Sequence, residues 1–171
     1  MKLLLVLAAV GALAIVGFFV FSSSKPKVEP KTIATPPQIK QETGTKAAFA
    51  IFTNGTFRIF TASMYHNLSA DVYIEPSNPN IVNVKKANIT WDDFFKTLPM
   101  KLTHDCLTTG TGQTFCTKGN QTLKFYIKGR LDANALDQII NAGDQLLVSF
   151  GNENEAQIQS QLQQIPSINQ N

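Results

Sequence analysis

Arginine, histidine, cysteine and tryptophan are all scarce in this chain. Its 171 residues include two cysteines, two histidines and one tryptophan, and the two arginines are Arg58 and Arg130. Two cysteines are too few for a small disulfide-dense scaffold, and ten glycines are too few for a collagen repeat. The length allows one domain of ordinary size with appendages and excludes a large multidomain enzyme.

The excess of basic residues lies near the N-terminus. The chain has 15 basic and 12 acidic residues, a formal charge of +3 and a pI of about 8.9. Residues 1–46 contain six lysines and two glutamates, whereas residues 47–151 contain nine basic and eight acidic residues. A nearly neutral, arginine-poor domain lacks the cationic surface that binds phosphates, so we expect no nucleic-acid partner.

Residues 3–21 form a long uncharged apolar run, LLLVLAAVGALAIVGFFVF. A helix of this length spans ~28 Å, close to the ~30 Å core of a bilayer. The alternative is a cleaved signal peptide, whose apolar region is about 7–15 residues long and ends in small residues. The bulky end of the run, residues 18–21, favours an uncleaved anchor. We therefore predict a transmembrane anchor over residues 1–21, which contacts membrane lipid through residues 3–21.

Residues 22–46 predict a disordered linker. They contain four of the eight prolines, together with scattered lysines, and show no hydrophobic periodicity. Such a spacer can hold a domain up to roughly 75 Å from the bilayer if it is extended.

The alternating patterns of a folded domain begin at Ala47 and continue to Gly151. Asn54-Gly55 separates two β-rich runs, residues 47–53 and 57–60, and favours a hairpin because a type I′ turn needs positive φ at both central positions. Further strands are predicted over residues 72–74, 81–84, 123–127 and 145–150, with Pro76 and Pro79 breaking the chain between the first two.

A helix is predicted from Thr90 to Leu98, ending before Pro99. Thr90 is a good N-cap residue, and Asp93 stands at the capping-box position. The apolar residues follow i, i+3, i+4, i+7 spacing and are assigned to the core: Trp91, Phe94, Phe95 and Leu98.

The tail, residues 152–171, predicts a last short helix, since Ile158, Leu162 and Ile165 share one helical face before Pro166. The whole order predicts an α+β fold, with a small mixed sheet and one packed helix over residues 47–151. This order resembles a β-grasp (ubiquitin-like) arrangement.

Cys106 and Cys116 bracket nine residues that include Gly110-Thr111-Gly112. This spacing differs from the C-x-x-C of a redox site, and the glycines suit a hairpin tip that would bring the two sulfurs together. In a domain outside the cytoplasm, two cysteines predict one structural disulfide. Two free thiols would contradict the exterior location as well.

Catalytic and metal-binding patterns are weak. His104 and Cys106 would share one face of a strand and Asp105 the other, which excludes a nucleophile–base–orienter chain. Adding His66 gives two histidines and two cysteines, a ligand set for zinc or copper, but their spacing matches no finger pattern. The chain has no P-loop, G-x-S-x-G or H-E-x-x-H motif. We expect a protein that is not an enzyme and that has no cofactor or metal.

Four N-glycosylation patterns occur, at Asn54, Asn67, Asn88 and Asn120. Roughly two would arise by chance under this pattern, so the excess is mild. Asn54 and Asn120 fall in predicted turns, and Asn88 lies just before the helix cap. The sequons and cysteines favour a domain outside the cytoplasm. The lysines that follow residue 21 favour the opposite orientation by the positive-inside rule, so the two kinds of evidence conflict.

Several segments together resemble a family of uncharacterised, membrane-anchored extracytoplasmic proteins of archaea. The resemblance covers roughly residues 47–165, and it rests on the following segments: residues 90–95, 105–107 with Cys116, 123–127, and 143–151. Members of that family often carry a His-x-His pair before the helix, which implies a metal site. Here the matching stretch is Asn83-Val84-Lys85, so the resemblance implies that this site is lost.

We therefore expect a single-pass membrane protein that displays a non-catalytic binding or envelope-organising domain outside the cytoplasm, with an unidentified protein partner. Two alternatives stay open. One is a structural subunit of a surface assembly that uses the apolar tail helix as its contact. The other is a redox or metal-handling protein that uses Cys106, Cys116, His104 and His66.

Overall fold

The computed structural model describes residues 44–168. The predicted anchor, residues 1–21, and nearly all of the predicted linker lie outside the described residues. Across the described range, neither helix has the length and apolar character needed to cross a bilayer.

Ten strands and two helices make up the described fold, with short 3-10 turns at Ser63–Tyr65 and Ala135–Asp137. The strands are β1 Thr45–Thr53, β2 Thr56–Phe57, β3 Val72–Glu75, β4 Asn78–Val84, β5 Lys101–Leu102, β6 Cys106–Thr108, β7 Thr114–Cys116, β8 Thr122–Ile127, β9 Arg130–Leu131 and β10 Gln145–Gly151. The helices are α1 Trp91–Thr97 and α2 Glu155–Leu162. The predicted α+β class is confirmed.

The main sheet has the strand order β3-β4-β1-β10-β8-β9, and β2 pairs with the end of β1. β1 and β10 lie side by side at its centre and run parallel, with Ala48 opposite Gln145 and Thr53 opposite Phe150. Their other partners are antiparallel. A separate small sheet, β5-β6-β7, contains the hairpin with both cysteines.

β1 is buried on both faces because the sheet is covered on both sides. Ala47, Phe49 and Ile51 belong to a core under α1, whereas Ala48 and Phe52 belong to a second core under α2. A near-continuous apolar run is what such a central strand requires. The strand begins at Thr45, two residues before the domain start that alternation alone indicated.

α1 packs an aromatic cluster against the first face. Phe49 makes edge-to-face contacts with Phe60, Phe94 and Phe95, at centroid distances of 5.1, 5.4 and 5.7 Å, in the range such pairs prefer. The predicted capping box is confirmed, because the Thr90 side chain accepts from the Asp93 N–H and the Asp93 side chain accepts from the Thr90 N–H. All four predicted core residues of this helix are buried.

α2 covers the second face of the sheet, so two helices are packed rather than the one expected. Ile158 and Ile165 are 2% and 7% exposed and pack in the cluster that includes Tyr126 and Leu147. Alternation in β1 and β10 creates this second apolar face, and the tail supplies its cover. The apolar side of the tail helix is therefore used inside the domain.

Two strand predictions were wrong in detail. The second arm of the first hairpin ends at Phe57, because the chain then leaves the sheet after the Arg58 N–H donates to the Ile51 carbonyl. Pro79 lies inside β4 and does not break it. The register against β3 shifts at that point, and a proline is tolerated at such an irregularity because its missing N–H leaves no ladder bond unmade. The Asn80 side chain donates to the Phe49 carbonyl nearby.

Candidate functional site

The two cysteines are joined to each other, as predicted. Cys106 and Cys116 stand directly opposite across β6 and β7, with Cα atoms 4.1 Å apart. Their neighbours Leu107 and Phe115 point into the first core. The bond therefore fastens the base of a hairpin whose inner side chains complete the domain core.

The histidines have separate surroundings. His66 Nε2 lies 2.8 Å from the Phe60 carbonyl oxygen, and exposed His104 has its Nε2 3.5 Å from Asp137 Oδ2. Within residues 44–168, three or more His, Cys, Asp or Glu side chains do not converge in a metal-binding arrangement. Because Cys106 is in a disulfide, it has no free thiol to act with His104.

All four sequon asparagines are exposed. Asn54, Asn67 and Asn88 have φ of 50°, 54° and 62°, a left-handed conformation that asparagine adopts more readily than most residues. Asn54 and Gly55, at φ 74°, form the predicted turn with positive φ at both positions. Asn120 follows Gly119 in an exposed turn before β8. The four asparagines therefore lie at exposed turns or bends of the chain, where a bulky modification would meet solvent.

A cleft of about 210 Å³ opens between the segment that follows β2 and the tip of the β6–β7 hairpin. Its apolar lining includes Ile51, Phe60, Met100 and Leu107. At the rim, Ile59 is 67% exposed, and Met64 is 44% exposed beside the hairpin tip. Residues of the first core, Ile51, Phe60 and Leu107, therefore reach solvent through this cleft.

Arg58 is the charged residue of this cleft. Its Nε donates to Thr53 Oγ1 at 2.6 Å, and its guanidinium carbon lies 5.1 Å from the centroid of the Phe115 ring. Thr53 is itself buried, so the arginine is held on one edge and on one face. Cation–π contacts of this kind are worth ~1 kcal/mol.

The tip of the hairpin closes the other side of the cleft. A Cβ atom at Gly110 would lie 2.6 Å from Tyr65 Oη and 2.9 Å from the Pro99 carbonyl oxygen, both too close for a side chain. Glycine is thus required here for the close approach of the tip. Thr109 and Thr111 flank it, and their hydroxyls are 2.9 Å apart.

Sequence reasoning missed this cleft. The signal present was an arginine between aromatic and aliphatic residues in Phe57-Arg58-Ile59-Phe60, which was interpreted as a strand. The cleft is assembled from segments some fifty residues apart, and the pattern of neither segment shows the other.

The second face of the sheet ends in a partly buried ion pair. Lys124 Nζ is 3.2 Å from Glu153 Oε2, and Glu153 Oε1 accepts from the Gly55 N–H at 3.2 Å. Burial raises the pKa of Tyr126 on the same face, and the charges of Glu155 and Glu153 add to the effect. These contacts tie the segment before α2 to β8 and to the first hairpin.

Comparisons with protein-family models, with curated proteins and with solved structures found no match for this chain.

Proposed function

We propose that this chain is a single-pass membrane protein that displays a disulfide-closed binding domain outside the cytoplasm. The observation that carries the proposal is the pairing of Cys106 with Cys116. Disulfides persist in oxidising compartments and are rare in the cytosol. The apolar run over residues 3–21 supplies the anchor, and the exposed sequons fit the same location.

The binding role is supported by the cleft and by what surrounds it. Ligand sites are concave and combine apolar side chains with a few placed polar groups. The cleft beside Arg58 is concave, and its lining combines apolar and aromatic side chains with one guanidinium and two threonines. A catalytic role has no comparable support, because no nucleophile with an adjacent base is found among the described residues of the cleft. The domain is therefore proposed to bind without turnover.

The proposal includes a β-grasp-like fold and a relationship to the membrane-anchored extracytoplasmic family. Support comes from the strand order, in which the first and last long strands are parallel at the centre, each has an antiparallel neighbour, and α1 packs across one face. The alternative of a structural subunit in a surface assembly loses support. The apolar tail residues assigned to its contact, Ile158 and Ile165, pack on the chain's own sheet.

Protease accessibility tests the location. The full chain with a C-terminal tag is expressed in cells, and intact and permeabilised cells are treated with protease. We expect the tag to be lost from intact cells and the protein to stay in the membrane after alkaline carbonate extraction. A tag that is lost only after permeabilisation would overturn the proposal.

Glycosylation is measured on the same preparation by intact mass before and after deglycosylation. Each of the four sequon asparagines is changed to glutamine in turn, and each change is expected to lower the mass by one glycan. Asn88→Gln removes the sequon alone, whereas replacement of Thr90 would also remove the hydroxyl that caps α1. A mass equal to that of the unmodified chain would show that the sequons are not used, and they would then not support the exterior location.

A further inference from the structure

We propose that the cleft beside Arg58 binds a small carboxylate whose apolar part is about the size of one aromatic ring. This inference rests on the proposed binding role and names the chemical class of the ligand. It follows from three properties of the cleft: a guanidinium restrained by two contacts, a described lining without a competing acidic side chain, and a volume of about 210 Å³.

Two contacts restrain the Arg58 guanidinium beside the cleft. The Arg58 Nε donates to Thr53, and the Phe115 ring covers one face of the guanidinium. Within residues 44–168, no hydrogen bond or ion pair joins its terminal Nη groups to another residue, and the described lining of the cleft includes no aspartate or glutamate. Two parallel N–H donors match the two oxygens of a carboxylate, and fixing them in advance reduces the side-chain entropy lost on binding.

The charge and the size select among anions. Arg58 is the one basic residue of the described lining. A single cation fits a single negative charge better than a phosphate ester, which recruits several donors. An apolar cavity of about 150 Å³ accepts benzene, so a cleft of about 210 Å³ has room for one ring and a short carboxylated arm. Phenylacetate is therefore the probe.

The methionines give a direct readout on the full chain. The sequence has three, at positions 1, 64 and 100. Met100 lines the cleft, and Met64 Cε would be 3.2 Å from a Cβ at Gly110, beside the hairpin tip. The chain is labelled with ¹³C-methyl methionine, placed in lipid nanodiscs and titrated with phenylacetate. Met1 lies outside the described residues and serves as an internal reference.

We expect the Met100 methyl signal to shift saturably, with a Kd of about 0.2–5 mM for a ligand of this size. Phenylacetamide keeps the shape and removes the charge, and it should bind at least about tenfold more weakly. Arg58→Met should weaken phenylacetate binding about tenfold or more. Arg58→Lys should weaken it less, because charge is kept and the bidentate geometry is lost. Arg130→Met, in β9, is the matched control and should change nothing.

Equal affinity for phenylacetate and phenylacetamide would overturn the inference, as would an unshifted Met100 signal at 20-fold the upper Kd. The comparison of the two ligands uses the unchanged protein, so it remains decisive if Arg58→Met fails to fold. Protease accessibility is independent of this titration. If the domain lies outside the cell and does not bind phenylacetate, the ligand class alone is disproved. If the domain has the opposite orientation and binds phenylacetate, the location alone is disproved.

Discussion

Removing the disulfide should destabilise the whole domain by an amount that the loop length sets. The bond joins residues 10 apart in sequence, and the chain-entropy model gives about 3 kcal/mol for closing a loop of this size. Direct packing adds little, because Cys116 is exposed and Cys106 half-buried. In Cys106→Ala/Cys116→Ala, a loss of ~3 kcal/mol corresponds to a fall in Tm of roughly 10 °C.

Trp91 provides the assay. It is the single tryptophan and is fully buried in the first core, so its fluorescence reports unfolding of the domain in urea, and far-ultraviolet circular dichroism tests whether the transition has two states. The control is Thr108→Ala/Thr114→Ala. Those hydroxyls are 3.0 Å apart across the same hairpin, and their loss should change the free energy of unfolding by less than about 0.5 kcal/mol.

The reasoning requires the hairpin to unfold together with the core, since Leu107 and Phe115 are buried in that core. A loss below about 1 kcal/mol at an unchanged m-value would refute this. A hairpin that opens independently of the core would not add its loop entropy to the unfolding that Trp91 reports. Free thiols found in the untreated protein would refute the pairing itself.

Three other changes test the remaining structure. Ser149→Ala should raise the free energy of unfolding by about 1 kcal/mol in urea denaturation, because the Ser149 hydroxyl is buried without a hydrogen-bond partner among the described residues; a lower stability would contradict this. Ile158→Ala should lower it by about 3 kcal/mol, whereas exposed Gln159→Ala should leave it nearly unchanged, and equal effects would show that α2 is not packed as described. Hydrogen bonds from Thr90 lower the pKa of Asp93 below its ordinary value of 3.8. The ionised Asp93 therefore contributes its full stabilisation above about pH 4, and this stabilisation is lost as the pH falls through the lowered pKa. Asp93→Asn should lower the free energy of unfolding more at pH 5 than at pH 2, and an equal loss at both would contradict the assignment.

Local signals in the sequence predicted local structure well. The Asn54-Gly55 turn and the Thr90–Asp93 capping box depend on residues at most four positions apart, so their physics is complete within a short window. The disulfide followed from two cysteines and a glycine-rich tip. Each of these features would form from the same residues in many tertiary settings.

Features that depend on distant partners were predicted poorly. Nothing in the tail specified that Ile158 would cover the second face of the sheet, because that face is made by β1 and β10 together. The strand predicted over residues 57–60 ends at Phe57, because the chain leaves the sheet after the Arg58 N–H donates to the Ile51 carbonyl of β1. Pro79 stays in β4 because the neighbouring strand shifts register there.

The parallel pair at the centre of the sheet has a consequence for the order of folding. Ala48 pairs with Gln145, so the innermost ladder joins the two ends of the domain and forms only when nearly all of it has been synthesised. Until β10 arrives, β1 has one side unpaired over most of its length, with apolar side chains on both faces. Non-local pairing of this kind folds slowly and exposes the chain to aggregation. β1 is therefore protected from aggregation only after β10 has paired with it. Any truncation that removes residues 145–151 should yield an aggregating chain in place of a smaller domain.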